Sequence, residues 1–217
     1  MCREALRRAD VVEVLHTGSH DALVADVPAG VRVTRVEDRV MARLSDAATP
    51  PGVVAVVRTP DTAVAVPARG ALLVLEHVAD PGNVGTLVRT ATAFGAAVAT
   101  IGGADPFGPK AVRASAGTCY AAAIHRLDAD ADLEAAMRGA GRTVLGLAAD
   151  GSTTLADAAA ALPDAGAVLV LGSEPHGLEA STRTAVDQLV RIPMAPGIES
   201  LNVAAAGAIA MHALMGA

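Results

Sequence analysis

Two uninterrupted apolar runs, Leu72–Leu75 and Val168–Leu171, constrain this chain more than any other feature of its sequence. Strands that are hydrophobic along their whole length are typical of parallel sheets covered by helices on both faces. Similar short β-branched runs alternate with Ala-rich helical stretches, and this alternation predicts an α/β protein with a mostly parallel sheet. The nine predicted strands are Val11–Leu15, Val31–Val33, Val53–Val57, Ala71–Leu75, Val98–Ile101, Ala122–His125, Thr143–Leu147, Val168–Leu171 and Leu189–Ile192.

A segment rich in proline and small residues, Arg58–Gly70, separates the first three predicted strands from the others. Such a composition is typical of a linker. We therefore expect a small α/β domain over residues 1–58, a linker over residues 59–69 and a larger α/β domain over residues 70–217.

The small domain carries arginines at four-residue spacing after its second predicted strand. Thr34 and Glu37 have the spacing of a capping box, which predicts that a helix begins at Thr34. In that helix Arg35, Arg39 and Arg43 would share one face. Spacing alone leaves two interpretations open, a solvated helix face, which is the commoner case, and a nucleic-acid site.

Composition and charge exclude several classes of function. Three aromatic residues in 217 disfavour RNA-binding modules that stack bases on exposed rings. The net charge of −6 excludes strong polyanion binding by the whole chain, but residues 1–60 balance eight arginines against eight acids and are the more basic part. Two distant cysteines, no signal-peptide core and no apolar stretch long enough for a membrane span lead us to expect a cytoplasmic protein.

Polar residues and glycines follow three predicted strands of the larger domain, at the end where open α/β sheets bind ligands. The first segment carries Asn83, a candidate helix cap, and Arg89 six residues later. The second carries Gly172, which permits close backbone approach to a ligand, and Glu174 at the mouth of the expected pocket. We interpret His176 in the same segment as an ordinary surface residue.

The third segment, residues 192–203, opens the last predicted helix. Ser200 is a candidate N-cap, and Asn202 is a polar residue early in an apolar helix, where a buried amide needs hydrogen-bond partners. The chain contains only two asparagines, Asn83 and Asn202, and both lie in these segments. No dinucleotide-binding glycine fingerprint, Walker A motif or zinc-ligand spacing is present, which disfavours a nucleotide-dependent oxidoreductase.

In this order and spacing, the three segments resemble the SpoU (TrmH-type) RNA ribose 2′-O-methyltransferases of the SPOUT superfamily. The family pattern N-x-G-x-x-x-R-[ST]-A matches residues 83–91, L-G-x-E-x-x-G matches residues 171–177, and I-P-M-x-x-x-x-x-S-L-N matches residues 192–202. Residues 108–117 also look like the family's stretch between the first and second motifs. The resemblance covers about residues 70–217.

The resemblance implies a parallel α/β sheet with a C-terminal trefoil knot, a homodimer, and S-adenosylmethionine bound in the knot with no metal. The cofactor-binding positions that it implies are Gly172, Ile192, Met194 and Leu201. The implied catalytic positions are Arg89, Asn83, Glu174, Ser200 and Asn202. Because a guanidinium holds its proton tightly, we expect Arg89 to clamp a phosphate and the developing alkoxide, while Glu174 holds Arg89 or Asn83 or accepts the proton.

The part before the linker resembles the small RNA-binding domain of many relatives, and we expect it to be truncated because no strand ending in Glu-Gly precedes Arg3. The resemblance favours phosphate contacts by Arg35, Arg39 and Arg43. The expected substrate is ribosomal RNA, 23S first, with tRNA second. Two alternatives stay open: an RNA-binding SPOUT-like dimer without activity, and a base methyltransferase of the same superfamily.

Overall fold

The chain forms two compact units, Met1–Asp61 and Thr62–Ala217, in a computed structural model. The structure describes residues 2–18, 20–44, 49, 52–62, 66–128, 130–137 and 141–215. Within these residues no helix is both long and apolar enough to cross a membrane.

The smaller unit is built on a three-stranded sheet with a small apolar core. Its elements are α1 (Cys2–Arg8), β1 (Val11–His16), α2 (Asp21–Val24), β2 (Arg32–Arg35), α3 (Asp38–Leu44) and β3 (Val53–Val57). Strand β1 lies in the centre, parallel to β2 and antiparallel to β3. The buried side chains of its core are Ala5, Val11, Val14, Leu23 and Val53.

The second strand of this unit extends beyond the predicted helix start. Thr34 lies in β2, paired with β1, and its hydroxyl donates a hydrogen bond to the Glu13 carboxylate (2.6 Å). Helix α3 begins at Asp38, and the backbone N–H groups of Val40 and Met41 donate to the Glu37 carbonyl. The predicted cap at Thr34 is therefore wrong, because strand pairing uses the backbone that the capping box needed.

The arginine stripe is consequently divided between two elements. Arg35 lies in β2, whereas Arg39 and Arg43 lie in α3, so the three side chains do not share one helix face. The buried residue of α3 is Met41, which is 1% exposed.

The larger unit is a seven-stranded sheet with order β6–β5–β4–β9–β7–β10–β8, in which every pairing of the described residues is parallel. Its strands are β4 (Leu72–Glu76), β5 (Ala97–Ile101), β6 (Ile124–Leu127), β7 (Thr143–Leu147), β8 (Thr153–Thr154), β9 (Ala167–Leu171) and β10 (Gln188–Arg191). Its helices are α4 (Pro81–Ala93), α5 (Pro109–Ala114), α6 (Asp130–Met137), α7 (Leu155–Ala160), α8 (Ala180–Ala185) and α9 (Val203–Met215), with a 3-10 turn at Thr118–Tyr120. The predicted α/β class with a mostly parallel sheet is confirmed.

All nine predicted strands are present, and the two-residue strand β8 is an additional one. The central strands β4 and β9 are buried along their whole length. Their continuous apolar sequence fits a position in which both faces of the strand pack against helices. The trefoil knot stays a prediction.

Helix α9 packs closely on α4 and β9 because residue 207 is glycine. A Cβ at Gly207 would lie 2.4 Å from a Leu87 methyl carbon and 2.7 Å from a Leu171 methyl carbon. Since β4 and β9 are parallel neighbours, the loops after them leave the same edge of the sheet. The packing of α9 brings its N-terminal end to the same edge.

Candidate active site

An aspartate caps the helix that carries the first of the three segments. The Asp80 carboxylate accepts hydrogen bonds from the backbone N–H groups of Gly82 (2.7 Å) and Asn83 (3.0 Å). Pro81 is the first helical residue, a position that needs no N–H partner. The prediction that Asn83 caps this helix is therefore wrong, and its side chain is available to other segments.

The helix of the third segment is capped by Asn202. Its Oδ1 atom accepts hydrogen bonds from the backbone N–H groups of Ala204 (3.0 Å) and Ala205 (3.2 Å). The prediction that Ser200 is the cap is wrong, because Asn202 stands directly before Val203, the first helical residue.

One chain of hydrogen bonds joins all three segments. The amide nitrogen of Asn202 donates to Asn83 Oδ1 (3.1 Å), and the amide nitrogen of Asn83 donates to Glu174 Oε1 (2.8 Å). Because Oδ1 of Asn202 accepts from the backbone of α9, its nitrogen faces Asn83, and this fixes the orientation of both amides. These hydrogen bonds connect the N-terminal end of α9 to the Glu174 carboxylate.

A tight loop between β9 and α8 presents that carboxylate. Ser173 and Gly177 exchange two backbone hydrogen bonds of 3.0 and 2.8 Å, which close the loop around Glu174. A Cβ at Gly172 would lie 2.1 Å from the carbonyl group of Gly177. Glycine at position 172 is therefore required by the path of the chain itself. His176 is exposed on the same loop.

A cleft of about 440 Å³ opens beside these hydrogen bonds. Its wall includes the four expected cofactor-binding residues and three of the expected catalytic ones: Gly172, Ile192, Met194, Leu201, Glu174, Ser200 and Asn202. Apolar side chains from the ends of β7 and β9 and from α9 complete the wall: Leu147, Leu171, Val203 and Ala206. Apolar walls with a few polar groups at this volume are typical of a small-molecule site.

Arg89 lies apart from this arrangement, on the exposed side of α4. Six residues of helix place the Asn83 and Arg89 side chains about 120° apart around the helix axis. Arg89 is not part of the cleft wall, and among the described residues it makes no hydrogen bond or ion pair. The structure thus brings four of the five expected catalytic residues together and leaves Arg89 outside.

The smaller unit has a groove of its own, at the ends of β1 and β2. Arg35 and Arg39 line this groove of about 470 Å³, together with Thr17, Gly18 and the first residues of α3. Arg39 also pairs with Glu37 at 2.7 Å. Arg43 is exposed on α3 and is not part of the groove wall.

The Asp80–Lys110 ion pair was missed by sequence reasoning. The Lys110 ammonium donates to the second oxygen of the Asp80 carboxylate (2.6 Å), and this bond, with those from the backbone of Asn83 and Gly82, lowers the pKa of Asp80 below its usual value of 3.8. Two signals could have found it: an Asp-Pro pair at a helix start, and Lys110 as the only lysine of the chain.

Among the residues that the structure describes, no group of three or more His, Cys, Asp or Glu side chains could hold a metal ion. The polar side chains of the cleft wall are one carboxylate, one amide and two hydroxyls, from Glu174, Asn202, Ser173 and Ser200.

The model of the SpoU rRNA methylase family matches residues 70–212. The chain belongs to the SpoU rRNA methylase family. This membership confirms the resemblance to the SpoU family of the SPOUT superfamily, and the three motifs of that family are the segments that build the cleft and its hydrogen-bond chain.

Known SpoU-family proteins are similar over nearly the whole chain. The 23S rRNA (guanosine(2553)-2′-O)-methyltransferase RlmP of Bacillus subtilis is 26% identical over 219 residues, with 100% of this chain and 86% of the relative covered. Two other curated relatives are longer, and the chain spans 65% and 59% of their length.

Two solved structures share the fold. A TrmH-family RNA methyltransferase from Porphyromonas gingivalis superposes with a TM-score of 0.82 at 32% identity, over 98% of this chain and 85% of the other. The SpoU methyltransferase AviRb from Streptomyces viridochromogenes, in complex with AdoMet, superposes with a TM-score of 0.85 at 26% identity, over 99% and 86%.

Proposed function

We propose that this protein transfers a methyl group from S-adenosylmethionine to a ribose 2′-hydroxyl of ribosomal RNA, 23S rRNA before tRNA. The observation that carries the proposal is the cleft whose wall includes Glu174 and Asn202, two residues joined by hydrogen bonds through Asn83. The Bacillus subtilis relative is named a 23S rRNA ribose methyltransferase, and the AviRb neighbour was solved with AdoMet.

The residues of the cleft fit this cofactor. The apolar side chains of Ile192, Leu201 and Leu147 can cover an adenine, and the backbone groups of the closed turn from Gly172 to Gly177 can supply hydrogen bonds. When bound, S-adenosylmethionine supplies an already activated methyl group, so the chain's own task is to orient the hydroxyl, exclude water and hold the departing proton.

We assign the role of proton acceptor to Glu174. Its Oε1 atom accepts from Asn83, and its Oε2 atom makes no hydrogen bond among the described residues, so one carboxylate oxygen is available to a ribose hydroxyl. The amide of Asn83 keeps the carboxylate turned toward the cleft. Ser200 and Asn202, which also line the cleft, then orient the ribose or the cofactor.

Arg89 is proposed to act on the RNA. Its planar guanidinium offers several N–H donors and no acceptor, so it is better suited to clamp a phosphate and the developing alkoxide than to act as a base. Its exposure and its lack of a partner among the described residues leave its donors available to RNA.

We assign the first contact with RNA to the smaller unit. Arg35 and Arg39 line its groove, and Arg43 lies one turn further along α3. Such arginines bind phosphates without reading sequence, and they act where the net charge of the chain is least negative.

A homodimer is also part of the proposal. Ile198 and Leu201, which precede α9, and Ile209, in the middle of α9, are 54, 40 and 44% exposed, and a second copy can cover such apolar side chains. Sedimentation equilibrium of the wild type and of Ile209→Glu tests this, with the wild type expected as a dimer.

The cytoplasm, where ribosomal RNA is made and modified, is the proposed compartment.

The deciding experiment maps ribose methylation in rRNA and tRNA from cells with and without the gene. We expect one ribose methyl group in 23S rRNA to disappear with the gene and to be restored by purified protein and S-adenosylmethionine. A methyl group found on a base after nuclease digestion would favour the base-methyltransferase alternative. Failure to bind S-adenosylmethionine in calorimetry would favour an RNA-binding dimer without activity.

A further inference from the structure

Glu76, the last residue of β4, is a buried carboxylate that the proposed mechanism does not use. It is 2% exposed. Its Oε2 atom accepts a hydrogen bond from the backbone N–H of Glu179 (2.8 Å), and its Oε1 atom accepts one from the Thr182 hydroxyl. A polar group at this depth is tolerated only when its oxygens are hydrogen-bonded.

The two partners of Glu76 lie at the beginning of α8, directly after the loop that presents Glu174. Glu179 occupies the cap position of α8, yet its own side chain makes no capping hydrogen bond. Glu76 instead reaches from β4 to the backbone N–H of this cap residue and to the Thr182 hydroxyl in the first turn of α8. The loop is held at its start by the pairing of β9 with β4 and at its end by Glu76.

The same two segments of chain are joined a second time at the surface. Residues 76–83 and 174–179 meet through Glu76 in the interior and through the hydrogen bond from Asn83 to Glu174 at the cleft. Within the first segment, the backbone bonds of Asp80 fix the start of α4 and with it the position of Asn83. A shift of α8 relative to β4 would separate Asn83 from Glu174.

We infer that Glu76 is a positioning residue: by holding Glu179 and Thr182, it sets the distance between Glu174 and Asn83 and the shape of the cleft wall formed by residues 172–177. The inference rests on the proposed function for its effect on catalysis. It acts through the loop and not on substrate, so its loss alters cofactor affinity and the rate of methyl transfer, while RNA binding is unchanged.

Four variants of the full chain test the inference. Glu76→Ala removes both hydrogen bonds. Glu76→Gln keeps both, because the amide oxygen can accept from Glu179 and the amide nitrogen can donate to the Thr182 oxygen. Thr182→Val removes one bond, and Thr184→Val is the matched control, because its hydroxyl donates to the Ala180 carbonyl on the exposed side of the same helix.

The readouts are the affinity for S-adenosylmethionine by calorimetry, the single-turnover rate, and the KM for RNA. A displacement of about 1 Å in a site lowers rates by roughly 100-fold. We expect Glu76→Ala to lose 10- to 100-fold in rate and several-fold in cofactor affinity at unchanged KM for RNA. Thr182→Val is expected to show a smaller loss, and Glu76→Gln to remain within about threefold of the wild type.

A folded Glu76→Ala with wild-type rate and cofactor affinity overturns the inference. If Glu76→Ala does not fold, the comparison of Thr182→Val with Thr184→Val decides, and equal values for the two overturn it. Should the wild type methylate no RNA, the proposed function fails, but the cofactor affinities of the same variants still test the position of the cleft wall.

Discussion

In the larger unit, β4 and β9 are buried along their whole length, and the cleft lies at the end where they stop. In the smaller unit each strand keeps an exposed valine: Val12, Val33 and Val56 are 36, 39 and 45% exposed. The groove of that unit lies at the ends of β1 and β2, and its wall includes the long side chains of Arg35 and Arg39.

The difference separates two requirements of an enzyme that acts on RNA. Methyl transfer needs groups fixed to a fraction of an ångström, and only a sheet packed on both faces holds its loops that firmly. Phosphate binding needs charge at roughly the right place, and long arginine side chains on a less completely buried sheet can supply it. Substitutions in the two units are therefore expected to differ in kind as well as in size.

The largest difference is expected between two glycines. In Gly172→Ala the new Cβ meets the Gly177 carbonyl at 2.1 Å, so the loop must move and cofactor binding should fall by at least about 100-fold. In Gly30→Ala of the smaller unit nothing lies within 4 Å, and only the positive φ of +93° opposes alanine, a strain of about 1–2 kcal/mol.

Calorimetry with S-adenosylmethionine and thermal unfolding of both variants measure this contrast. Wild-type cofactor affinity in Gly172→Ala would show that the loop is not rigid. The proposed difference in rigidity between the two units would then be wrong.

Substitution of Arg89 should lower the rate and leave cofactor binding intact. Removal of one electrostatic contact to the reacting group typically costs about 10²–10³ in rate, and Arg89 is not in the cleft wall. We expect this loss in single-turnover methylation by Arg89→Ala, with partial recovery in Arg89→Lys. Near-wild-type rates in both variants would remove Arg89 from the mechanism.

Substitutions in the groove of the smaller unit should weaken RNA binding and leave the other measured properties unchanged. We expect the double variant Arg35→Gln, Arg39→Gln to bind RNA several-fold more weakly and to lower the slope of log K against log salt by about 0.7 per lost phosphate contact. Arg58→Gln is the control, because Arg58 pairs with Asp10 away from the groove. An unchanged salt slope in filter binding would argue against phosphate contacts in this groove.

The smallest effect is expected at Asp80, and it depends on pH. Lys110 lowers the pKa of Asp80 below 3.8, so the carboxylate stabilises the fold above pH 3.8, and this contribution is lost as pH falls through the lower folded-state pKa. Asp80→Asn should slightly lower the midpoint of thermal unfolding at neutral pH, and the difference should shrink in acid.

Asp164→Asn, at an exposed acid of the same unit, is the control for the removal of one surface charge. If the Asp80→Asn difference were the same at pH 3 and pH 7, the ion pair with Lys110 would not be its cause.

The sequence predicted the central fold well because its strands are unbroken apolar runs, such as Leu72–Leu75, that fit only a sheet covered on both faces. The prediction failed where a polar residue had two equally good local roles. Thr34 has the spacing of a cap but pairs as a strand, because β1 offers its backbone partners.

The predicted caps failed for a similar reason. Asn83 and Ser200 are good caps in isolation, and their neighbours Asp80 and Asn202 occupy those positions instead. Long-range contacts decide such cases, and a pattern of local spacing does not contain them. The buried contacts of Glu76 lie more than 100 residues away in sequence, at separations of 103 and 106, which places them beyond any local pattern.

Lys110 gives the chain a practical property. It is the only lysine, its side chain is 58% exposed, and it pairs with the residue that caps the helix of Asn83. Apart from the α-amino group, an amine-reactive dye can therefore attach at one place only. A dye at Lys110 would sit beside the first of the three segments and could report, as a change in fluorescence, when the neighbouring cleft is filled.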